Sequence, residues 1–208
     1  MSFLSLITRN KIWIIYSIII KYILIHIYKI RIGSNFYCQG MPNLKINGLG
    51  QNIKIGNNVK IMGRIDLRNR EDGKIIIEDE VKIDENCRFV SAQSGVIKIG
   101  KNSIIGPYAI WNGGEDIIIG QGCIFSSWSS INANEHVLDK SNPVSEIKYN
   151  YLPVKIEKDC FIGSSVSIHM GVIIKEGSII GSNAVVTKNT NSYSINVGVP
   201  SKEISSRK

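Results

Sequence analysis

Three histidines, four cysteines and a few loop aromatics hold most of the chemistry open to this 208-residue chain. A free imidazole titrates at about 6.5, close to working pH, so histidine is well suited to taking a proton from a hydroxyl. His136 closes the run Asn132-Ala133-Asn134-Glu135-His136 directly after Ile131, where a stretch containing Pro143 and Pro153 begins. Taken alone it reads as a solvated loop histidine. As a base it would need an orienting partner, and Glu135, Asp139 or a backbone carbonyl can serve. His169, in Ser167-Ile168-His169-Met170-Gly171, reads as structural or substrate-facing, and His26 as packing within an apolar segment. Trp111 and Trp128 have faces that suit a sugar ring or adenine, against a plainer role of outward packing on a neighbouring subunit, which is preferred for Trp111; Tyr149 and Tyr151 are further candidates for acceptor contact.

Cys38, Cys87, Cys123 and Cys160 stand far apart with no CxxC pair. That excludes a zinc knuckle and a thioredoxin-like motif, and the cysteine density is too low for a disulfide scaffold. They read as reduced thiols of a cytoplasmic chain, at least two of them in buried packing positions. No Ser or Cys sits in a recognisable nucleophile motif. A catalytic zinc would need three converging histidines. The three present come from distant segments, so no metal is expected.

The elements that must position these groups show a period of six. Ile156, Ile162, Ile168, Ile174, Ile180 and Val186 follow one another at that step. Two residues before each stands a small or β-branched one: Val154, Cys160, Val166, Val172, Ser178 and Ala184. The step recurs at Ile55 and Ile61, at Ile77, Ile83 and Phe89, at Ile99, Ile105 and Trp111, and at Ile119, Phe125 and Ile131, often with glycine next. Six is neither a helical nor a simple strand period. It fits a short strand and a tight corner, three of which close one triangular coil. Alternation along each strand turns both the aliphatic residue and the one two before it inward. Such a solenoid is stable only when its coils stack. The register slips between coils, and between Ile131 and Ile156 it leaves a protruding loop over 132–153. A loop of that length in a repeat array is usually functional.

Hydrophobic content of 43% and charged content of 20% exclude wholesale disorder. The net charge of +8 is uneven: Arg9, Lys11, Lys21, Lys29 and Arg31 face no acid within the first 31 residues, leaving +3 for the other 177. That near-balanced body argues against nucleic-acid binding. The same basic segment is strongly apolar, but Lys21 interrupts it, which makes a membrane-spanning helix a poor fit. No small-residue cleavage site follows it. Residues 1–32 therefore read as an apolar basic segment, helical in outline. It either lies at an anionic bilayer surface or packs on the protein's own oligomer. Residues 33–208 form the second unit.

The isoleucine-glycine hexads, the single loop and the ending Val186-Thr187-Lys188 through Gly198-Val199-Pro200 resemble the hexapeptide-repeat acyltransferases over about residues 50–205. The nearest subgroup is the galactoside, maltose and polysaccharide O-acetyltransferases. The resemblance implies an all-β, left-handed parallel β-helix, against the usual right-handed crossover. It also implies a homotrimer with active sites between subunits, and acetyl-CoA as donor. On that resemblance His136 is the catalytic base and direct transfer is expected. Ser164, Ser182, Thr187, Lys188 and Lys202 hold the donor. Phe161 replaces the family's tryptophan, and Asn112 neighbours the place of a family asparagine. With Trp128 and Glu135 these two complete the candidate substrate contacts.

The favoured expectation is O-acetylation of a sugar in a bacterial surface polysaccharide, such as O-antigen or capsule, or its precursor. The alternatives are N-acetylation of a nucleotide-linked amino sugar and a non-catalytic, membrane-docked trimeric scaffold. About 50 residues precede the first hexad, too few for a separate nucleotide-binding domain. Expected localisation is cytoplasmic, with the N-terminal segment able to dock on the inner face of the membrane.

Overall fold

The computed structural model of the chain describes residues 3–137, 140–141, 143–146 and 148–207. Its body is a triangular parallel β-helix of about seven coils. Each coil adds one strand to each of three parallel sheets. On the first face Ile75 pairs with Ile97, Ile97 with Ile117, and Ile117 with Val154. The six-residue step works as alternation requires. Val81 with Ile83, Ala109 with Trp111, and Val166 with Ile168 all point into the prism and are buried.

One corner of each coil takes a left-handed residue. Asn58, Glu80, Asn102, Gly122, Asp159 and Gly177 form one such column, with φ between +56° and +70°. Asn, Asp and Gly tolerate that region best. The glycine that follows the hexad isoleucine answers a different need. A Cβ on Gly100 would lie 2.5 Å from the backbone carbon of Gly120 in the next coil, so the stack closes only over glycine.

The coils begin earlier than Ile55. A first coil occupies Arg31–Ile32, Tyr37–Cys38 and Asn43–Ile46, with Ile32, Cys38 and Leu44 at the hexad places. Cysteine and leucine there hide the isoleucine signal. Leu67 likewise continues the second coil. The slips between coils therefore all fall at one corner, where the third face turns to the first. They lie at 47–52, 70–73, 92–95 and 114–116, and the large insertion at 133–153 leaves from the same edge.

Both ends of the prism are covered. The helix Phe3–His26 lays Ser17, Ile20 and Leu24 over the first coil. The Cys38 backbone N–H donates to Ser17 Oγ at 2.8 Å, and Lys21 Nζ donates to the Gly33 carbonyl. Burial of that stripe offsets the poor helix propensity of so many isoleucines. The opposite stripe, with Ile15, Ile18, Ile19 and Tyr22, faces outward. His26 is exposed and lies against the Tyr22 ring, rather than packed in a core, because it belongs to that outer stripe. No described helix is long and apolar enough to cross a membrane. At the other end Ser194–Val197 extends the second sheet, and Lys202–Ser206 folds back antiparallel on it. This hairpin occupies a sheet edge that would otherwise recruit other chains.

All four cysteines are free and buried. Burial pushes the Cys38 and Cys87 thiols up to about 12. Cys87, Cys123 and Cys160 each donate Sγ–H to a carbonyl of the next coil. Trp111 does not pack outward on a neighbouring subunit: it holds an inward hexad place, fully buried between Phe89 and Phe125, with ring centroids 4.8 and 5.0 Å away. Trp111→Ala is expected to cost about 3–5 kcal/mol, because the coils on either side cannot close the void. Thermal melting checks this, and an unchanged melting temperature would contradict the assignment of Trp111 to the core.

Candidate active site

The insertions share one edge, so they build one feature. At the large insertion the chain leaves the third face as a two-stranded antiparallel hairpin. Asn134–His136 pairs with Tyr149–Tyr151, and His136 stands opposite Tyr149. The hairpin leans over the earlier coils and encloses a cavity of about 610 Å³. A Cβ on Gly114 would meet the Tyr151 ring at 2.5 Å, so glycine there lets the hairpin close down.

The cavity floor is the outward side of the third face. Strand register fixes one column of it: Arg68 beside Val90, Val90 beside Asn112, and Asn112 beside Asn132. Asn112 Nδ2 donates to Asn132 Oδ1 at 2.9 Å. Ile131 pairs with Ile168, and Ile168 with Val186. The next places in the column are therefore His169 and Thr187. One line of side chains thus runs from the cavity, under the hairpin, to the last coils.

His136 lines the cavity and is exposed, with its ring 4.3 Å from that of Tyr149. Glu135, also lining, turns to the other side. Its Oε1 lies 2.6 Å from His169 Nδ1. An ionised carboxylate can only accept, so Nδ1–H is the donor in this contact and Nε2 is the ring nitrogen left to face other partners. Glu135 is therefore the partner of His169, not of His136. Asp139, the other carboxylate considered for His136, lies outside the described residues. Sequence reasoning left His169 without a partner because a separation of 34 residues from Glu135 hides their contact across the hairpin. Arg70 and Arg88 also line the cavity and were missed. Arg88 carried a signal, since it stands directly before the inward Phe89 and so at an outward place of the third face.

The remaining candidates lie elsewhere on the protomer. Trp128 is exposed at the corner between the second and third faces, at φ +66°, and stacks on Tyr108 at 4.2 Å with the rings 4° from parallel. It does not line the cavity, because the hairpin rises from the opposite edge of that face. Phe161 points outward from the second face, in register with Ile124 and Ile179. The Ser164 backbone N–H donates to Ser182 Oγ at 3.2 Å, on the same corner as Trp128 but further along. Thr187 and Lys188 are exposed just past Val185–Val186, and Lys202 opens the returning strand. Of the candidates, the cavity brings together His136, Glu135, Asn112, Tyr149 and Tyr151, and Trp128, Phe161, Ser164, Ser182, Thr187, Lys188 and Lys202 lie outside it.

Comparison with known proteins agrees with this architecture. Residues 153–188 match the family model described as the hexapeptide repeat of succinyl-transferase. The dTDP-4-amino-4,6-dideoxy-D-glucose acyltransferase of Escherichia coli is 33% identical over 173 residues, covering 80% of this chain and 85% of that protein. The probable acetyltransferase Rv3034c of Mycobacterium tuberculosis is 30% identical over 168 residues, and the match spans 80% of this chain but only 53% of that protein. Among solved structures, AntD, an N-acyltransferase from Bacillus cereus in complex with dTDP and 3-hydroxybutyryl-CoA, has a TM-score of 0.58 at 24% identity, covering 85% of this chain and 82% of its own. The polysialic acid O-acetyltransferase OatWY has a TM-score of 0.57 at 18% identity, covering 85% and 92%. The two structural likenesses concern the fold alone. The chain belongs to the hexapeptide-repeat acyltransferases, with their left-handed β-helix.

Proposed function

We propose that the chain is an acetyl-CoA-dependent O-acetyltransferase acting on a sugar hydroxyl of a bacterial surface polysaccharide or its precursor. The observation that carries the reading is the position of His136 on the hairpin over a polar cavity large enough for a sugar. An alcohol is a poor nucleophile until its proton is removed. The His136 imidazole takes that proton as the oxygen attacks the thioester carbonyl. It returns the proton to the departing sulfur, with no acyl-enzyme. The buried cysteines offer no competing nucleophile to a substrate. A peptide N–H or one of the cavity amides, such as Asn112 or Asn132, would stabilise the oxyanion.

Ser164, Ser182, Thr187, Lys188 and Lys202 are proposed to hold the donor. They lie on coils after the hairpin and on two edges of the prism, so one protomer does not unite them. A homotrimer with sites between subunits would do so. The exposed row Ile104, Ile124 and Phe161 on the second face supports such an assembly. In Ile124→Glu, sedimentation should show the trimer falling apart and transfer should drop with it. A variant that stays trimeric would remove this face from the interface.

N-transfer to a nucleotide-linked amino sugar is the second reading, favoured by the 33% identity to the Escherichia coli enzyme. An amine that is already neutral needs no base, so His136 separates the two. His136→Ala should lower turnover of a hydroxyl acceptor at least about 10²-fold, with acetyl-CoA binding retained. Near-normal turnover with an amino sugar would establish the second reading. His169→Ala, measured beside it, shows which imidazole takes the proton.

We propose a cytoplasmic chain whose N-terminal helix lays its outward stripe against the inner face of the membrane. That stripe is apolar and the segment carries five cations without an acid. This combination suits an anionic lipid interface. The full chain should co-sediment with anionic vesicles, more weakly as salt rises. Replacing Ile15, Ile18 and Ile19 by serine should abolish the association, whereas equal sedimentation of both forms would refute lipid docking.

A further inference from the structure

Inside the cavity the formal charges balance, but the opposite groups are not paired with one another. Two guanidinium groups line it, Arg70 and Arg88, and two carboxylates, Glu71 and Glu135. Both carboxylates are engaged elsewhere. Glu135 holds His169, and Glu71 Oε2 accepts the backbone N–H of Gln93. The obvious partner for Arg88 is Asp66, its register neighbour on the adjoining strand. Yet Asp66 is taken by Arg68, whose Nε and Nη2 clasp both its oxygens at 2.6–3.0 Å. Burial raises the Asp66 carboxyl, but the bonds and charge of Arg68, with the charge of Arg88, outweigh it and hold the group below the usual carboxylate range.

Neither Arg70 nor Arg88 forms an ion pair with a described carboxylate. Arg88 Nε is moreover buried without a hydrogen-bond partner. A buried donor left open costs free energy unless something fills it. Guanidinium forks match carboxylates and phosphates, often bidentately.

We propose that Arg70 and Arg88 form an anion subsite for the acceptor, so that the sugar acetylated here carries a carboxylate or a phosphate. The inference rests on the acceptor occupying this cavity, as in the function proposed above. The donor also carries phosphates, but the residues proposed to hold it lie on the other side of the hairpin. Arg70 and Arg88 sit on the second and third coils, whereas Ser182 and Thr187 sit on the seventh. At about 4.8 Å per coil this is a separation of roughly 20 Å. An anion bound at the arginines would instead fix the sugar beneath His136, on the side away from the donor. Positioning of that kind lowers KM and supports turnover through geometry.

The test uses the full chain and three probes in calorimetry: glucuronate, uridine 5′-diphosphate and coenzyme A. Wild type should bind glucuronate or uridine 5′-diphosphate, more weakly as salt rises, and the one bound tells carboxylate from phosphate. Arg88→Gln and Arg70→Gln should weaken that probe at least tenfold, leave coenzyme A unchanged and melt like wild type. Arg88→Lys should recover part of the loss. In turnover, the same variants should raise KM for a charged acceptor about 10–100-fold while kcat holds.

Binding of neither acceptor probe by wild type, or equal binding by the glutamine variants, would overturn the subsite. So would a loss confined to coenzyme A, which would assign the arginines to the donor. Acetylation of neutral sugars unaffected by either variant would keep the enzyme and remove the subsite. Arginine-dependent anion binding with no acetyl transfer to any acceptor would keep the subsite and remove the transferase.

Discussion

The structure depends on one packing constraint: each coil buries its inward side chains only against the coils above and below it. A single turn of eighteen or so residues has no core of its own. The stack supplies one, through columns of isoleucine, valine and small residues that repeat from coil to coil. Ordering inward residues this strictly orders outward ones equally, because alternate residues of a strand face opposite ways. The line Arg68, Val90, Asn112, Asn132, His169, Thr187 is the outer counterpart of the core. A rigid rack of positions at fixed spacing is a good base for a site whose groups must hold their geometry.

The stack also dictates where irregularity is tolerated. Extra residues cannot enter a face without breaking its ladder, so they collect at a corner. In this chain they collect at the same corner on successive coils, and the longest becomes the hairpin over 134–151. The cavity follows from that shared edge. Two contacts then tie the hairpin to the rack: Tyr151 over Gly114, and Glu135 on His169. The second tie matters for the chemistry, since it commits the only described carboxylate beside the two imidazoles and leaves His136 against an aromatic face.

Much of the fold was legible because the period of six has few physical explanations. The hexads from Ile55 onward and the loop over 132–153 followed from spacing alone; Trp111, expected to pack outward on a neighbouring subunit, instead fills its hexad place inside the prism. The first coil did not, since Cys38 and Leu44 fill hexad places with residues that carry no isoleucine signal. The apolar N-terminal segment misled about His26, because hydropathy cannot tell a stripe that covers a core from one left outside. For the site, His136 was reached through the family resemblance of its place after Ile131, and the fold sets it in the cavity wall. Glu135 could not be assigned, as adjacent residues on a strand point to opposite sides and its partner lies in the next coil. Trp128 and Phe161 have suitable chemistry but occupy another corner and another face of the protomer.

By itself the sequence determined the repeat, the inward set and the place of the one large insertion, because these are periodic properties of a chain that must bury one residue in two. Tertiary structure alone decided which outward residues meet. Arg70, Arg88, Asn112, His136 and Tyr151 are dispersed over some eighty positions, and only the winding of the coils brings them to one edge. It also decided which charges were already spent: Asp66 on Arg68 and Glu135 on His169, with two guanidinium groups left open. Linear spacing cannot predict this, because an ion pair forms wherever two groups come within a few ångströms, and that proximity exists only once the coils are stacked.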